Sequence, residues 1–297
     1  MNLTVGTGKI DIEKRPHVVL NRDYLTVLQT GGLLDFDSIY NFQDGAIIKQ
    51  IRDRSVIRLE ISEKDGNRTF YLKRHNPVRL GLLAMIVGLF GGTAASPGMA
   101  EFIHLCRFRK HGIPTVVPVA AGERRTGFSR YESFLLTEDF TPYISLEELI
   151  FNRAEILQGA EGLLRKERLI RTIALLARKM HDEGFNHRDF NATHVLVGPD
   201  EGDGDFHLAL FDLQRIDRKK WLKINWLIKT MAHLSFSMPA PLFDDQDRLL
   251  LFQTYKGTSN LRMMDRFQLH WIGKKKQRIK RHTENIMKRR KQSAKTR

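Results

Sequence analysis

Residues 162–211 restrict the fold more than any other part of the chain. Ile170, Ile173, Ala174, Ala177 and Met180 recur at helical spacing, so a long helix with one buried face is expected to run to about Asp182. Gly184 ends it, because glycine takes left-handed backbone without steric cost. A polar loop follows, and then two brief β-rich runs at 194–197 and 207–211, divided by the turn-rich GPDEGDGD.

The first half has a different rhythm. Residues 46–51 (AIIKQI), 56–61 (VIRLEI) and 69–73 (TFYLK) each space apolar residues as strands do, with RDRS and SEKDGN as turns between them. That is a three-stranded meander with Lys73 on its third strand. Ser96-Pro97-Gly98 opens a helix expected over 99–110, and His111-Gly112-Ile113-Pro114 stops it. Two more strands are expected at 115–121 and 131–137. A helix then runs from Ser145 to Asn152, with Ser145 and Glu148 spaced as a capping box. Beyond Lys219 the pattern is helical, broken at Pro239 and Pro241. The class is therefore α+β. The expected divisions are an N-terminal extension (1–34), a small antiparallel sheet lobe with one helix (35–138), a larger mainly helical lobe (139–265) and a basic tail (266–297).

Composition narrows the setting. Apolar residues make up 41% and charged residues 28%, as in an ordinary globular protein, and the length of 297 suits two lobes sharing a cleft. Cys106 is the single cysteine, so no intrachain disulfide can form. The first twenty residues are too charged for a secretory signal, and the apolar run at 80–90 is too short to span a bilayer. It reads as a buried or interfacial segment. Most of the formal charge of +15 lies in residues 274–297, where twelve Lys/Arg face Glu284 alone. Three readings compete for this tail: a solvated segment, an anchor to anionic lipid heads, or a nucleic-acid arm, the last being the least favoured.

Phosphoryl transfer needs a cation on the nucleotide phosphates, a carboxylate for the metal and a carboxylate that orients the attacking hydroxyl. The chain offers each in the order found in protein kinases. Lys73 lies on the third strand, Glu101 in the following helix can pair with it, Asp189 sits in "HRDFNATHVLV" (187–197), and Asp212 ends the second short run in "LFDLQR". The spacing of His181, Gly184 and His187-Arg188-Asp189 also resembles the approach to a kinase catalytic loop. There are departures. No glycine loop joins the first two strands, although Arg52 or Arg54 could bring positive charge to phosphate. Leu213-Gln214 replaces Phe-Gly, no Ala-Pro-Glu follows, and His194 stands where Asn is expected. These argue against a protein substrate. His194 has three readings: a hydrogen bond to the metal shell or to Asp212, a nitrogen ligand favouring manganese, or a packed structural residue.

"TFYLKRH" (69–75), "AEFIHLCRFRKHGIPTVVPVAAGE" (100–123), "HRDFNATHVLV" and "LFDLQR" together resemble the lipopolysaccharide kinase family, the bacterial kinases of lipid A–core heptose and Kdo sugars. Over roughly residues 35–240 the departures become agreements, since that family is similar in having His in the Asn slot and Asp-Leu without Phe-Gly. The resemblance implies a bilobal protein-kinase-like fold and transfer of the ATP γ-phosphate to a heptose or Kdo hydroxyl of the lipopolysaccharide inner core. Asp189 would be the catalytic base, Lys73, Glu101 and Glu138 the nucleotide site, and Asp212, with His194, the ligands of Mg2+ or Mn2+. Arg215, Arg218 and Lys219 could meet the acceptor's anionic groups. The implied partners are the core oligosaccharide on its lipid A anchor and an anionic membrane surface; nucleic acid is not expected. The expected location is cytoplasmic, on the inner face of the inner membrane. A pseudokinase scaffold, or a kinase of a protein or small metabolite, is the alternative.

Overall fold

The computed structural model describes residues 5–51, 53–64, 66–79, 96–127, 130–199, 206–218 and 223–295. The apolar run at 80–90, Arg52 and Lys219 lie outside them. The chain forms two compact units, one of residues 1–141 with 211–214, the other of 142–210 with 215–297. No helix among the described residues is long and apolar enough to cross a membrane.

The first unit holds strands β1 (Val5–Gly6), β2 (Ile12–Arg15), β3 (Val18–Asn21), β4 (Ala46–Ile51), β5 (Arg54–Glu63), β6 (Gly66–Arg79), β7 (Thr115–Val116), β8 (Pro118–Arg125) and β9 (Arg130–Glu138), with helices α1 (Leu25–Thr30), α2 (Phe36–Tyr40) and α3 (Pro97–Lys110). Seven strands make one antiparallel sheet in the order β2-β3-β8-β9-β6-β5-β4, and β1 pairs with β7. β6 is central, with Lys73 opposite Val56 on β5 and Leu135 on β9. Side chains alternate along it. Phe70 and Leu72 are fully buried in a core shared with Leu20, Leu28, Phe36 and Phe134, while Lys73 and His75 point to the other face. Each such core side chain contributes about 1.5–3 kcal/mol by burial. Residues 5–34 are thus no extension: β3 pairs with β8 a hundred residues later, and Val18, Leu20, Val27 and Leu28 complete the core.

Helix α3 packs on β6, β8 and β9. Pro97 occupies its first turn, where a missing N–H costs nothing. Gly98 permits the close approach, since a Cβ there would lie 2.5 Å from the Phe134 carbonyl oxygen.

The second unit holds β10 (Ile144–Ser145), β11 (Asn186–His187), β12 (Val195–Val197), β13 (Leu208–Leu210) and β14 (Ile216–Asp217), with helices α4 (Leu146–Asn152), α5 (Gly159–Asp182), α6 (Lys223–Ser237), α7 (Asp245–Lys256) and α8 (Met263–Lys295). β12 lies between β10 and β13, and β11 pairs with β14. α5 buries the expected stripe, with Ile170, Ile173, Ala174, Ala177 and Met180 inaccessible, and packs against α7. Gly184 beyond it has φ 81°. Only half of the expected capping box forms at α4. The Ser145 hydroxyl accepts from the Glu148 N–H, but the Glu148 carboxylate accepts from Asn152 instead. The basic tail is the outer part of α8, a 33-residue helix whose inner part packs on α6 through Ile272.

Candidate active site

In the first unit, Lys73, Glu101 and Asp212 converge. The Lys73 ammonium donates to both Glu101 carboxylate oxygens at 2.9 Å and to Asp212 Oδ1 at 3.1 Å. The Glu101 side chain is 2% exposed and that of Lys73 16%. Burial opposes charge on both partners. It pushes the Glu101 carboxyl up, whereas the ammonium, with two carboxylates against it, is held above its ordinary value.

The Asp212 segment is pinned from the same unit. Asp212 takes a left-handed backbone, φ 57°, unusual outside glycine. The next two residues hold it there. His104 Nδ1 donates to the Leu213 carbonyl at 2.7 Å, and the Gln214 amide donates to His75 Nε2 at 3.3 Å. Burial, then the charges of Lys73 and Arg54, push the His75 pKa down to about 4, so the ring is neutral at pH 7 and accepts. Reading motifs alone misses His75, His104 and Gln214, yet two carry a positional signal. His75 is two residues beyond Lys73 on a strand, and His104 is three beyond Glu101 on a helix, so each shares its neighbour's face.

A cavity of about 280 Å3 opens over this cluster. Val56, Val116, Leu135 and Phe140 give it apolar walls, and Lys49, Arg54, Lys73, Glu101 and Asp212 line it with charge. Tyr71, Phe140 and Phe211 form an aromatic chain with ring centroids 5.5 and 5.7 Å apart. Nε of Arg54 is buried with no hydrogen-bond partner among the described residues. The arrangement suits a planar heterocycle bearing phosphates. The Glu138 carboxylate does not line it. It accepts from the Tyr24 hydroxyl at 2.5 Å and from the Arg68 guanidinium at 2.9 Å, bracing the sheet.

In the second unit, Asp189 sits in a loop fixed at both of its peptide groups. Its N–H donates to His187 Nδ1 at 3.1 Å, and its carbonyl accepts from His194 Nδ1 at 2.8 Å. The two imidazoles stack with centroids 5.6 Å apart. His194 therefore commits Nδ1 to the loop. The Asp189 carboxylate accepts from Arg215 at 3.0 and 3.3 Å. Arg188 turns away and grips Asp217, aided by the Asn186 amide at 3.2 Å. Of the cations expected to meet the acceptor, Arg215 is committed to Asp189, and Arg218 lies 5.6 Å from the Phe185 ring.

Residues 92–255 match the model of the Lipopolysaccharide kinase (Kdo/WaaP) family. The lipopolysaccharide core heptose(I) kinase WaaP of Pseudomonas aeruginosa is 28% identical over 74% of this chain and 80% of its own length. That of Escherichia coli K12 is 26% identical over 81% and 89%. The 3-deoxy-D-manno-octulosonic acid kinase of Photobacterium damsela subsp. piscicida is 24% identical over 74% and 83%. Among solved structures, a WaaP in complex with acyl carrier protein superposes with a TM-score of 0.64 at 25% identity, covering 88% of this chain and 98% of that one. The family model covers more than half of the sequence, and the chain belongs to the lipopolysaccharide kinase (Kdo/WaaP) family of phosphotransferases.

Proposed function

We propose that the protein transfers the γ-phosphate of ATP to a heptose or Kdo hydroxyl of the lipopolysaccharide inner core. The observation that carries this reading is the Lys73–Glu101–Asp212 cluster in the wall of a slot with apolar sides. Glu101 holds the Lys73 ammonium where it can bind nucleotide phosphate, and Arg54, which also lines the slot, adds a second cation for phosphate. Asp212 would hold the metal beside the phosphates, since Glu101 gives both of its oxygens to Lys73 and Asp212 gives it one. Among the described residues there is no cluster of three His, Cys, Asp or Glu. That suits magnesium, or manganese, which shares one or two carboxylates with phosphate and water rather than filling an all-protein cage. Bound there, the ion would neutralise charge on the phosphates. Asp189 accepts the proton of the sugar hydroxyl, with Arg215 orienting its carboxylate.

A membrane-borne acceptor fits α8. Met263, Met264, Phe267 and Trp271 are 46–85% exposed beside the basic run, the composition of a helix that lies on an anionic lipid surface. The test is mass spectrometry of lipopolysaccharide core from cells lacking the protein, before and after incubation with purified protein, ATP and magnesium. One added phosphate, lost with Asp189→Asn or a chelator, is expected. Labelling of peptides or free sugars in place of the core would reject the reading.

A further inference from the structure

α8 walls a second, larger cavity of the second unit, about 750 Å3, with Asn191 and Thr193 of the Asp189 loop on another side. Lys275, Arg278 and His282 line it from α8. Among the described residues none of the three has a hydrogen bond or ion pair. The one carboxylate in the lining, Glu147, is hydrogen-bonded to the Thr193 hydroxyl at 3.2 Å. His233, also in the wall, is pushed below the ordinary imidazole value, by burial first; the Asp189 carboxylate pulls it back, and Lys275 and Arg215 add to the depression. The cavity therefore lies within electrostatic reach of the loop carboxylate.

The same side of α8 continues beyond the cavity. Met264, Phe267, Trp271, Lys275, Arg278 and His282 succeed one another at intervals of three or four, so they share one stripe. Its first half is apolar and exposed, its second half cationic. A free phosphate needs no apolar neighbour, and an acidic peptide needs no cavity beside a proton acceptor. An anionic sugar carried on a lipid needs both halves.

We propose that this cavity is the acceptor site: Lys275, Arg278 and His282 bind carboxylate or phosphate groups of the glycan, while Met264, Phe267 and Trp271 meet its lipid surface. The assignment rests on the kinase reading and adds where, and by which charges, the acceptor is held. The test compares the wild type with Lys275→Glu/Arg278→Glu and with Lys280→Glu/Arg281→Glu, which makes the same charge change on residues outside the cavity lining. Calorimetry follows three probes: deacylated core oligosaccharide, the same oligosaccharide stripped of phosphate with its carboxylates reduced, and inorganic phosphate. An ATP-induced thermal shift is the fold control.

Loss of a charge-assisted hydrogen bond weakens binding about tenfold, so the cavity variant should raise Kd for the intact oligosaccharide about 100-fold and the outer variant less than about threefold. The KM for acceptor should rise in parallel and the KM for ATP should not. Phe267→Ser/Trp271→Ser should weaken binding of complete lipopolysaccharide and spare the deacylated form. Equal losses in both charge variants, tight binding of the stripped oligosaccharide, inorganic phosphate binding as well as the glycan, or no glycan binding by the wild type would each overturn the assignment. If the wild type binds the glycan through these cations but transfers no phosphate, the kinase reading falls and takes the acceptor role with it, leaving a glycan-binding site. If it transfers phosphate and the cavity variant binds as before, the site falls alone.

Discussion

Glu101→Gln isolates the contact on which the proposed nucleotide site depends. The substitution keeps shape and removes one charge from a pair whose carboxylate is 2% exposed. Deleting one partner of a buried pair costs about 3–5 kcal/mol, because the other charge is left uncompensated. Here Asp212 still faces the ammonium at 3.1 Å, so the lower end, about 3 kcal/mol, is expected. The function should suffer more than the stability. With Glu101 neutral, Lys73 is drawn onto Asp212, which on the proposed function would take the cation from the phosphates and the carboxylate from the metal together. A preorganised charge of this kind accounts for about 10²–10³ in turnover, and about 10³ is expected for losing both roles in part. Phosphate transfer and urea unfolding read the two effects. A double-mutant cycle with Lys73→Met should give a coupling of about 2 kcal/mol or more, and the variant should need more magnesium. Turnover within about fivefold of wild type, with a coupling below about 0.5 kcal/mol, would refute the reasoning.

Stability should fall as the pH drops from about 6.5 to 4, since burial holds both His75 and His181 near a pKa of 4. The unfolded chain protonates them near 6.5, so in that window it binds more protons than the folded state; the loss approaches about 3 kcal/mol per histidine, none of it appears above the window, and His75→Gln should flatten the urea-midpoint profile. Gly98→Ala places a Cβ 2.5 Å from the Phe134 carbonyl oxygen, so α3 must shift; about 1–3 kcal/mol of destabilisation and a higher KM for ATP are expected, and an unchanged denaturation curve would contradict the packing described. Gln214→Leu removes the donor to His75 Nε2 and strands a buried acceptor, costing about 1–3 kcal/mol, with a raised magnesium requirement as the readout at Asp212.

The parts of this molecule legible in its sequence are those whose signal is local. The strands carrying Lys73 and its neighbours alternate with period two, and α5 repeats its buried face over about three turns, so both elements can be placed from spacing. The role of residues 12–40 cannot, because their partners are distant: Val18 meets Gly122, and Leu20 meets Ala120. Short apolar runs broken by charges look like an extension until β8 lies beside them. The same holds at the loop. Asp217 is brought to Arg188 by the pairing of Asn186 with Asp217 across β11 and β14, which no motif spacing announces. Glu138 shows the converse error: its place at the end of β9 is readable, but the capture of its carboxylate by Tyr24 and Arg68 depends on a helix and a strand from elsewhere in the unit.

The pairing of Arg188 with Asp217 bears on how the loop is kept in order. In regulated protein kinases an arginine cluster waits for a phosphorylated residue, and the activation segment orders when that phosphate arrives. Here the counter-ion is part of the chain. Asp217 accepts from Arg188 Nε at 2.8 Å and from Asn186 at 3.2 Å, and although burial opposes its charge, Arg188 holds its carboxyl below the usual range. Arg215, two residues before Asp217, closes on the Asp189 carboxylate, and its backbone carbonyl accepts from the Arg188 N–H at 3.0 Å. Strand pairing, ion pair and backbone bond thus fix the loop without any modification. Phosphatase treatment should leave the transfer rate unchanged. Asp217→Asn should lower it about five- to tenfold while costing only about 1 kcal/mol of stability, because Arg188 is half exposed and water screens the pair. A dephosphorylated protein that is inactive, and recovers with a phosphorylating partner, would show that the loop is switched rather than built in place.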